Sequence, residues 1–312
     1  MNDKKKVTIL GVPVDLGAEN LGVDTGPSAF RFQKITEKLT NAGFNVTDAG
    51  DIKCEPRKNL EVGDPKLKYL DEIVRISLEA AQKSFGLIKK GERVVALGGD
   101  HSQCLGVISG ASAALGGNLG LIYIDAHGDL NTPETTPTGN IHGMPLAALL
   151  GFGEERLVNI FLPRAKIKKG NMLHVGGNDF DKGELELINR ENLSLFKVSD
   201  MLESGLKPLL GLFDELAKKN DKIWVSMDLD AVDEMYAPGV GMPNKAGFTY
   251  REITAVAEYL GHHANVVGVD INEYNPLSDV EGKTAELGIE IIAKLFGESY
   301  SWYSNYLIKH KI

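Results

Sequence analysis

The amino-acid sequence predicts an α/β protein built on a mainly parallel, doubly wound sheet. Short apolar runs alternate with longer amphipathic segments along the chain, and acidic residues stand directly after several of the apolar runs. Near-continuous apolar runs are typical of strands buried on both faces, and their alternation with helices is typical of parallel sheets. The 312 residues are 43% hydrophobic and 25% charged, which is enough for a single domain over residues 1–312.

Seven segments are expected to form strands, at 7–12, 94–97, 119–125, 172–175, 193–198, 223–228 and 266–271. Seven helices are expected at 27–42, 67–90, 102–115, 182–191, 199–219, 249–260 and 283–296. Pro27 suits a first helical turn, and Gly43 and Gly91 suit positions just past helix ends. The Gly- and Pro-rich stretches 131–145 and 237–247 follow strands and are expected to be functional loops.

Composition argues against several classes of partner and location. The formal net charge of −9 disfavours nucleic acid and anionic membranes, because both attract basic patches. No segment has the length and apolarity of a signal peptide or membrane span, so a soluble, cytoplasmic protein is expected. Cys54 and Cys104 lack metal-ligand spacing and fit two free thiols, and one disulfide stays open as the alternative. Residues 301–312, aromatic and basic, are expected to be a loose tail or an interface element.

Carboxylates and histidines follow four of the predicted strands. The clusters are Gly98-Gly99-Asp100-His101-Ser102, Asp125-Ala126-His127-Gly128-Asp129, Asp228-Leu229-Asp230, and Asp270 with Glu273. Ligands of open α/β sheets bind beyond the carboxyl ends of the strands, so these side chains are expected at one rim. Carboxylates buried together repel one another unless they bind cations. The spacing therefore predicts two metal ions about 3.5–4 Å apart.

The ligand set of Asp and His without Cys is hard and oxygen-rich. Such a set favours manganese over structural zinc, which prefers Cys and His in a closed tetrahedron. Magnesium, iron, cobalt and nickel stay open as alternatives at this point.

These motifs resemble the arginase–agmatinase, or ureohydrolase, family over nearly the whole chain. Segments 98–102, 125–129 and 226–230 match the three metal-binding motifs of the family in order, and 22–27 is similar to its N-terminal loop. The resemblance implies a three-layer α/β/α, arginase-like fold with two Mn2+ ions per subunit. One ion would be held by His101, Asp125, Asp129 and Asp228, and the other by Asp125, His127, Asp228 and Asp230. It also implies a homo-oligomer, a trimer or a hexamer.

The loop after the second motif resembles that of the arginases rather than the agmatinases. The resemblance implies that Asn131, Thr136 and Thr138 receive the α-carboxylate of L-arginine. Asp181 would then help to hold the α-amino group, with Glu184 in a supporting position. Glu273 would clamp the guanidinium, and Asp129 and His142 would carry protons, so that the products are L-ornithine and urea. A carboxylate pairs well with a planar guanidinium, which makes this role chemically sensible.

Other interpretations stay open. The nearest are hydrolases of agmatine, of other guanidino acids or of formimidoylglutamate, and a further one is a catalytically silent arginine-binding protein. A nucleotide-binding protein is excluded, because 11–17 supplies neither GxGxxG nor a Walker loop. The sequence departs from the family pattern at Asn178, where an Arg is usual, at Glu234-Met235 and at Met242, and Pro137 stiffens the substrate loop.

Overall fold

In the computed structural model, which describes residues 6–298, eight strands form one sheet. They are β1 Lys6–Val12, β2 Asn45–Asp51, β3 Arg93–Gly98, β4 Gly120–His127, β5 Met172–Asp179, β6 Leu195–Lys197, β7 Ile223–Asp228 and β8 Val266–Asn272. Their order is β2-β1-β3-β8-β7-β4-β5-β6, and every neighbouring pair is parallel. The predicted parallel α/β sheet is therefore confirmed. The prediction for residues 301–312 falls outside the described residues.

Helices cover both faces of this sheet. They are α1 Gly26–Phe32, α2 Ile35–Asn41, α3 Leu70–Lys89, α4 Cys104–Ala114, α5 Pro145–Leu149, α6 Glu155–Val158, α7 Lys182–Glu191, α8 Val198–Ser204, α9 Lys207–Lys219, α10 Tyr250–His263 and α11 Lys283–Leu295. Short 3-10 turns occur at Val23–Thr25, Arg57–Asn59, His101–Gln103, Ile141–Gly143, Lys169–Asn171 and Leu229–Ala231. Within residues 6–298, no helix combines the length and apolarity needed to cross a membrane.

Two apolar cores flank the sheet because successive strand side chains point to opposite faces. In β3, for example, Val95 and Leu97 join the core under α1, α2 and α8–α11, whereas Val94 and Ala96 join the core under α3–α7. Both faces of the central strands are thus buried, which explains why their sequences are continuous apolar runs. The arrangement is the predicted three-layer α/β/α architecture.

The structure differs from the expected elements in one further strand, in two divided helices and in the short helices α5 and α6, which were not predicted. Strand β2 was not predicted, because it is an edge strand whose side chains are mostly exposed and polar. The expected helix 27–42 is two helices, separated near Lys34, whose φ is 59°. The expected helix 199–219 is also two helices, separated at Gly205, whose φ is 70°. A backbone with positive φ cannot continue a right-handed helix.

The sheet order separates strands that are close in the chain. Strand β4 follows β3 in sequence, but β8 and β7 lie between them in the sheet. The four central strands β3, β8, β7 and β4 end at the same edge, and the side chains that follow them meet there.

Candidate active site

The carboxyl ends of the central strands form the floor of a cavity of about 390 Å³. Its lining includes twelve of the thirteen side chains singled out from the sequence: His101, His127, Asp129, Asn131, Thr136, Thr138, His142, Asp181, Glu184, Asp228, Asp230 and Glu273. The thirteenth, Asp125, is buried beneath the cavity and contacts two of the lining histidines. The structure therefore brings all thirteen into one region.

The first of two metal-ligand clusters surrounds the imidazole of His101. The Nδ1 atom of His101 lies 2.9 Å from Asp125 Oδ2, 3.2 Å from Asp129 Oδ2 and 3.1 Å from Asp228 Oδ2. These residues come from the ends of β3, β4 and β7. One nitrogen faces three carboxylate oxygens within 3.2 Å.

The second cluster surrounds His127 and shares Asp125 with the first. The Nδ1 atom of His127 lies 3.1 Å from Asp230 Oδ2 and 3.5 Å from Asp125 Oδ1. The donor atoms of Asp125, His127 and Asp230 lie within 4.8 Å of one another, as do those of His101, Asp125 and Asp228. Asp125 offers one oxygen to each cluster, which is the geometry of a carboxylate that bridges two ions.

The state of the buried polar atoms indicates that these clusters fit cations. His101 Nδ1 and Asp125 Oδ2 are buried and make no hydrogen bond, although they lie close together. Burial and the charges of Asp230 and Asp125 raise the pKa of Asp228 well above its usual value. Burial and the charge of Asp125 do the same for the pKa of Asp129. Divalent cations would satisfy the donor atoms and offset the charge of these carboxylates.

Two of the metal-ligand side chains reach the floor through turns that follow the strands and not through the alternation of side chains along a strand. After Asp228 the chain turns into the 3-10 segment Leu229–Ala231, and the Asp230 N–H donates to Asp228 Oδ1 at 2.8 Å. Asp129 has a φ of 53°, in the left-handed region, and Tyr123 Oη donates to its Oδ2 at 2.5 Å. The segment from Asp228 to Asp230 is therefore a tight turn, and both carboxylates reach the site.

Several residues support His101. The sequence placed Asp270 among the strand-end carboxylates without giving it a role, and it did not single out the others. His101 Nε2 lies 2.9 Å from Ser226 Oγ, which donates to Asp270 Oδ2 at 2.6 Å. Asp270 also accepts hydrogen bonds from Trp224 Nε1 and Asn272 Nδ2. Ser226 precedes Asp228 by two residues in β7, so its side chain is on the same face and reaches the same histidine. This alternation was the one available sequence signal.

His174 supports the other side of the floor. Its Nε2 lies 2.7 Å from the carbonyl oxygen of His127, and its ring packs between Tyr123 and Phe180. Burial lowers the pKa of His174. A neutral ring with the proton on Nε2 donates to this carbonyl, which fixes the peptide of His127.

Glu273 and His142 form the wall next to the metal-ligand floor. Glu273 has a φ of 60°, and its Oε1 accepts a hydrogen bond from the His101 N–H at 3.0 Å. His142 Nδ1 lies 3.2 Å from the same oxygen. Burial disfavours the charged imidazole, but the hydrogen bond and charge of Glu273 outweigh it and raise the pKa of His142 to about 9. His142 is therefore protonated near neutral pH.

The substrate loop, which we define as residues 130–143, includes His142 and lines the cavity from Asn131 to Gly143. Asn131 Nδ2 donates to Asp181 Oδ2 at 2.7 Å. Asp181 caps α7, and Glu184 completes the capping box by accepting from the Asp181 N–H at 2.8 Å. Glu184 also accepts from the Leu130 N–H at 2.9 Å. Burial raises the pKa of Glu184 to about 7.

The two threonines of the loop differ in their exposure. Thr136 is buried, and its Oγ1 accepts a hydrogen bond from the Gly139 N–H at 2.9 Å. Thr138 is exposed and accepts from the Asn140 N–H at 3.2 Å. Of the departures from the family pattern, Pro137 and Met242 line the cavity, whereas Asn178 Nδ2 donates away from it to Ala246 O at 3.1 Å.

Comparison with protein families decides the relationship of this chain. The model of the Arginase family matches residues 5–297. The chain belongs to the arginase family. The arginase of Brevibacillus brevis is 40% identical over 296 residues, covering 94% of this chain and 98% of that protein.

Solved arginase structures share the fold. The arginase of Bacillus caldovelox is 36% identical with a TM-score of 0.91, covering 95% of this chain and all of that one (100%). The arginase of Entamoeba histolytica, solved in complex with L-ornithine, is 30% identical with a TM-score of 0.87, covering 94% of this chain and 99% of that one. The chain is accordingly a hydrolase of the arginase type, and the clusters at the strand ends fit a binuclear metal site.

Proposed function

We propose that this protein is a binuclear manganese hydrolase that cleaves the guanidinium group of L-arginine to L-ornithine and urea. The observation that carries the proposal is that Asp125 is shared by two ligand clusters at the floor of a cavity, and the substrate loop walls that same cavity. The relationship to arginases and the complex of the Entamoeba enzyme with L-ornithine support arginine as the substrate.

The residues that would hold the two ions follow from the clusters. His101, Asp125, Asp129 and Asp228 surround the first position, and Asp125, His127 and Asp230 surround the second. The family resemblance adds Asp228 to the second position as a bridging ligand. When bound, the two metal ions would lower the pKa of a water molecule, so that hydroxide would be available near neutral pH. The oxygen-rich donor set, with two imidazoles and no thiolate, supports manganese.

Glu273 would orient the substrate. Its buried carboxylate faces the cavity beside His101 and pairs with the planar guanidinium through parallel hydrogen bonds. The guanidinium carbon is thereby held above the floor, where the water oxygen bonds to it.

Proton delivery to the leaving nitrogen completes the reaction. The bond from the guanidinium carbon to the side-chain nitrogen breaks, and that nitrogen must gain a proton to leave as the amine of L-ornithine. Asp129, at the floor, is suited to carry the proton from the attacking water. Glu273 raises the pKa of His142 to about 9 in spite of the opposing effect of burial. His142 is therefore protonated at neutral pH and suited to exchange protons with solvent.

The head group of arginine would contact the substrate loop. Asn131, Thr136 and Thr138 would receive the α-carboxylate, and Asp181, which already accepts from Asn131, would hold the α-ammonium. Glu184 would fix Asp181 and the start of the loop through its two backbone hydrogen bonds.

The test is a substrate panel combined with metal analysis. Protein reconstituted with manganese should release urea from L-arginine at least about 100-fold more efficiently than from agmatine or 4-guanidinobutyrate, because only arginine presents both head groups to the loop. Formimidoyl-L-glutamate is assayed through release of its own amide product. Preference for any of these over L-arginine would contradict the proposal. Metal analysis should find two manganese ions per chain. Urea release with manganese is compared with urea release after reconstitution with magnesium, iron, cobalt, nickel or zinc.

Three further expectations accompany this proposal. We expect a homo-oligomer of three or six copies, which light scattering coupled to gel filtration would measure, and a cytoplasmic location in the cell. Residues 1–312 are expected to act as one catalytic domain.

A further inference from the structure

The cavity has an unbalanced charge for an amino-acid substrate. Besides the metal-ligand floor and Glu273, its lining contains the carboxylates of Glu19, Asp179, Asp181 and Glu184. Among the described residues that line it, none is a lysine or an arginine. Such a wall attracts the two cationic groups of agmatine but repels the α-carboxylate of arginine.

Two lysines, Lys66 and Lys68, contact residues of this wall without lining the cavity, and the Lys68 ammonium reaches two of them. Lys68 Nζ donates to Glu19 Oε1 at 2.9 Å and to Asn140 Oδ1 at 2.9 Å, and both of those residues line the cavity. The Lys68 side chain is only 21% exposed, whereas that of Glu19 is 71% exposed. The ammonium is therefore held between Glu19 and the substrate loop, and the hydrogen bond and charge of Lys68 lower the pKa of Glu19.

The same segment anchors the part of the loop that would receive the carboxylate. The Lys68 N–H donates to Gly139 O at 3.1 Å, and Lys66 Nζ donates to Thr136 O at 2.7 Å. Gly139 has a φ of 75°, and a Cβ there would lie 1.8 Å from Pro65 O, so the two backbones are in close contact. Asn140, held by Lys68, donates its own N–H to Thr138 Oγ1 at 3.2 Å.

We propose that Lys68 is a specificity-determining residue that makes the cavity accept a ligand bearing an α-carboxylate, by offsetting the charge of Glu19 and fixing Asn140 beside Thr138. The inference rests on the proposed function, because it concerns the head-group end of the same site. Lys68 does not contact the reacting atoms, so it acts on ligand affinity and not on the chemical step.

The experiment measures binding and is independent of turnover. Calorimetry on manganese-loaded protein gives the Kd of L-ornithine, which carries the carboxylate, and of putrescine, which lacks it. The variant Lys68→Met should weaken L-ornithine about tenfold and leave putrescine unchanged or tighter, because one nearby charge in a partly solvated site is worth roughly this factor. Lys68→Arg should retain most of the affinity for L-ornithine.

A second substitution separates charge from folding. Glu19→Gln in the Lys68→Met background removes the uncompensated carboxylate and should recover at least half of the lost binding free energy. Lys58→Met, an exposed lysine outside the cavity lining with the same change in net charge, should alter neither Kd.

The outcomes distinguish this inference from the proposed function. Equal weakening of both ligands by Lys68→Met, or no weakening of either, would overturn the role of Lys68, as would no recovery in the double variant. Absence of urea release from L-arginine by the unaltered protein, with L-ornithine binding still dependent on Lys68, would overturn the proposed reaction and leave the role of Lys68 standing.

Discussion

The floor and the loop wall of the cavity are built in different ways. Every proposed metal ligand lies in a central strand or within three residues of its end, and all but His127 are almost completely buried. The wall is a long loop whose geometry depends on contacts from the start of α7 and from residues 65–68. The sheet fixes the chemistry, whereas contacts from elsewhere in the chain shape the wall that faces the substrate head group.

The largest expected effect comes from breaking the floor. His127→Ala and Asp230→Ala should each lower kcat more than about 100-fold and reduce bound manganese from two ions to one, since loss of a direct ligand exceeds the 10–100-fold typical of outer contacts. Metal analysis and urea release measure this. The control Asp179→Ala removes a cavity carboxylate outside both clusters and should keep two ions. Full manganese-dependent turnover in either ligand variant would refute the assignment.

A weaker break of the floor acts through the support of His101. Ser226→Ala removes the hydroxyl that lies 2.9 Å from His101 Nε2, and manganese affinity should fall about 10–100-fold. Because the metal ligands themselves remain, kcat at saturating manganese should return to within a few fold of the value for the unaltered protein. Titration of activity against manganese measures both quantities. Ser84→Ala, which removes another buried hydroxyl far from the site, should leave manganese affinity unchanged. Equal loss in both variants would argue for a general packing effect.

Breaking the wall should alter substrate affinity and spare the metals. Asn131→Ala should raise KM for L-arginine about tenfold with little change in kcat, since it removes one hydrogen-bonding group worth roughly 1–3 kcal/mol. Steady-state kinetics with arginine and agmatine measure this, and KM for agmatine should change less. Thr132→Ala, in the same loop but outside the cavity lining, is the matched control. An equal rise of KM for both substrates would contradict the role of the loop in reading the head group.

The smallest expected effect concerns the ion pair where floor and wall meet. Glu273 raises the pKa of His142 from 6.5 to about 9 against the opposing effect of burial, so the pair stabilises the fold fully below pH 6.5 and loses that contribution as the pH rises through about 9. His142→Gln should therefore cost about 1–2 kcal/mol at pH 6 and little at pH 10. Denaturant unfolding in EDTA measures this, with exposed His262→Gln as the control. A loss that grows with pH would contradict the pairing.

The sequence predicts the floor better than the wall for a physical reason. Apolar strands and the acids after them are close in the chain, so their spacing alone brings His101, Asp125 and Asp228 to one edge of a parallel sheet. The positions of Ser226 and Asp270 follow from the same alternation, although their role as a support did not emerge from it.

The wall depends on contacts between distant residues, which local patterns do not encode. Nothing in the spacing of residues 65–68 indicates that Lys68 meets Asn140 and Glu19. The polar edge strand β2 was missed for a related reason, because it has one neighbour, β1, and no continuous apolar pattern. His174 likewise resembles an ordinary buried strand residue until its contact with the His127 carbonyl is seen.

The sheet order also has a consequence for biosynthesis. His101 and Asp125 are synthesised early, but the strands that carry them flank β8 and β7, which the ribosome adds only after residue 222. A nascent chain ending before Asn272 lacks Asp228, Asp230 or the central strands that bring β3 and β4 into register. The centre can thus be assembled only when most of the last third of the polypeptide has emerged, so incomplete chains should bind metal ions weakly.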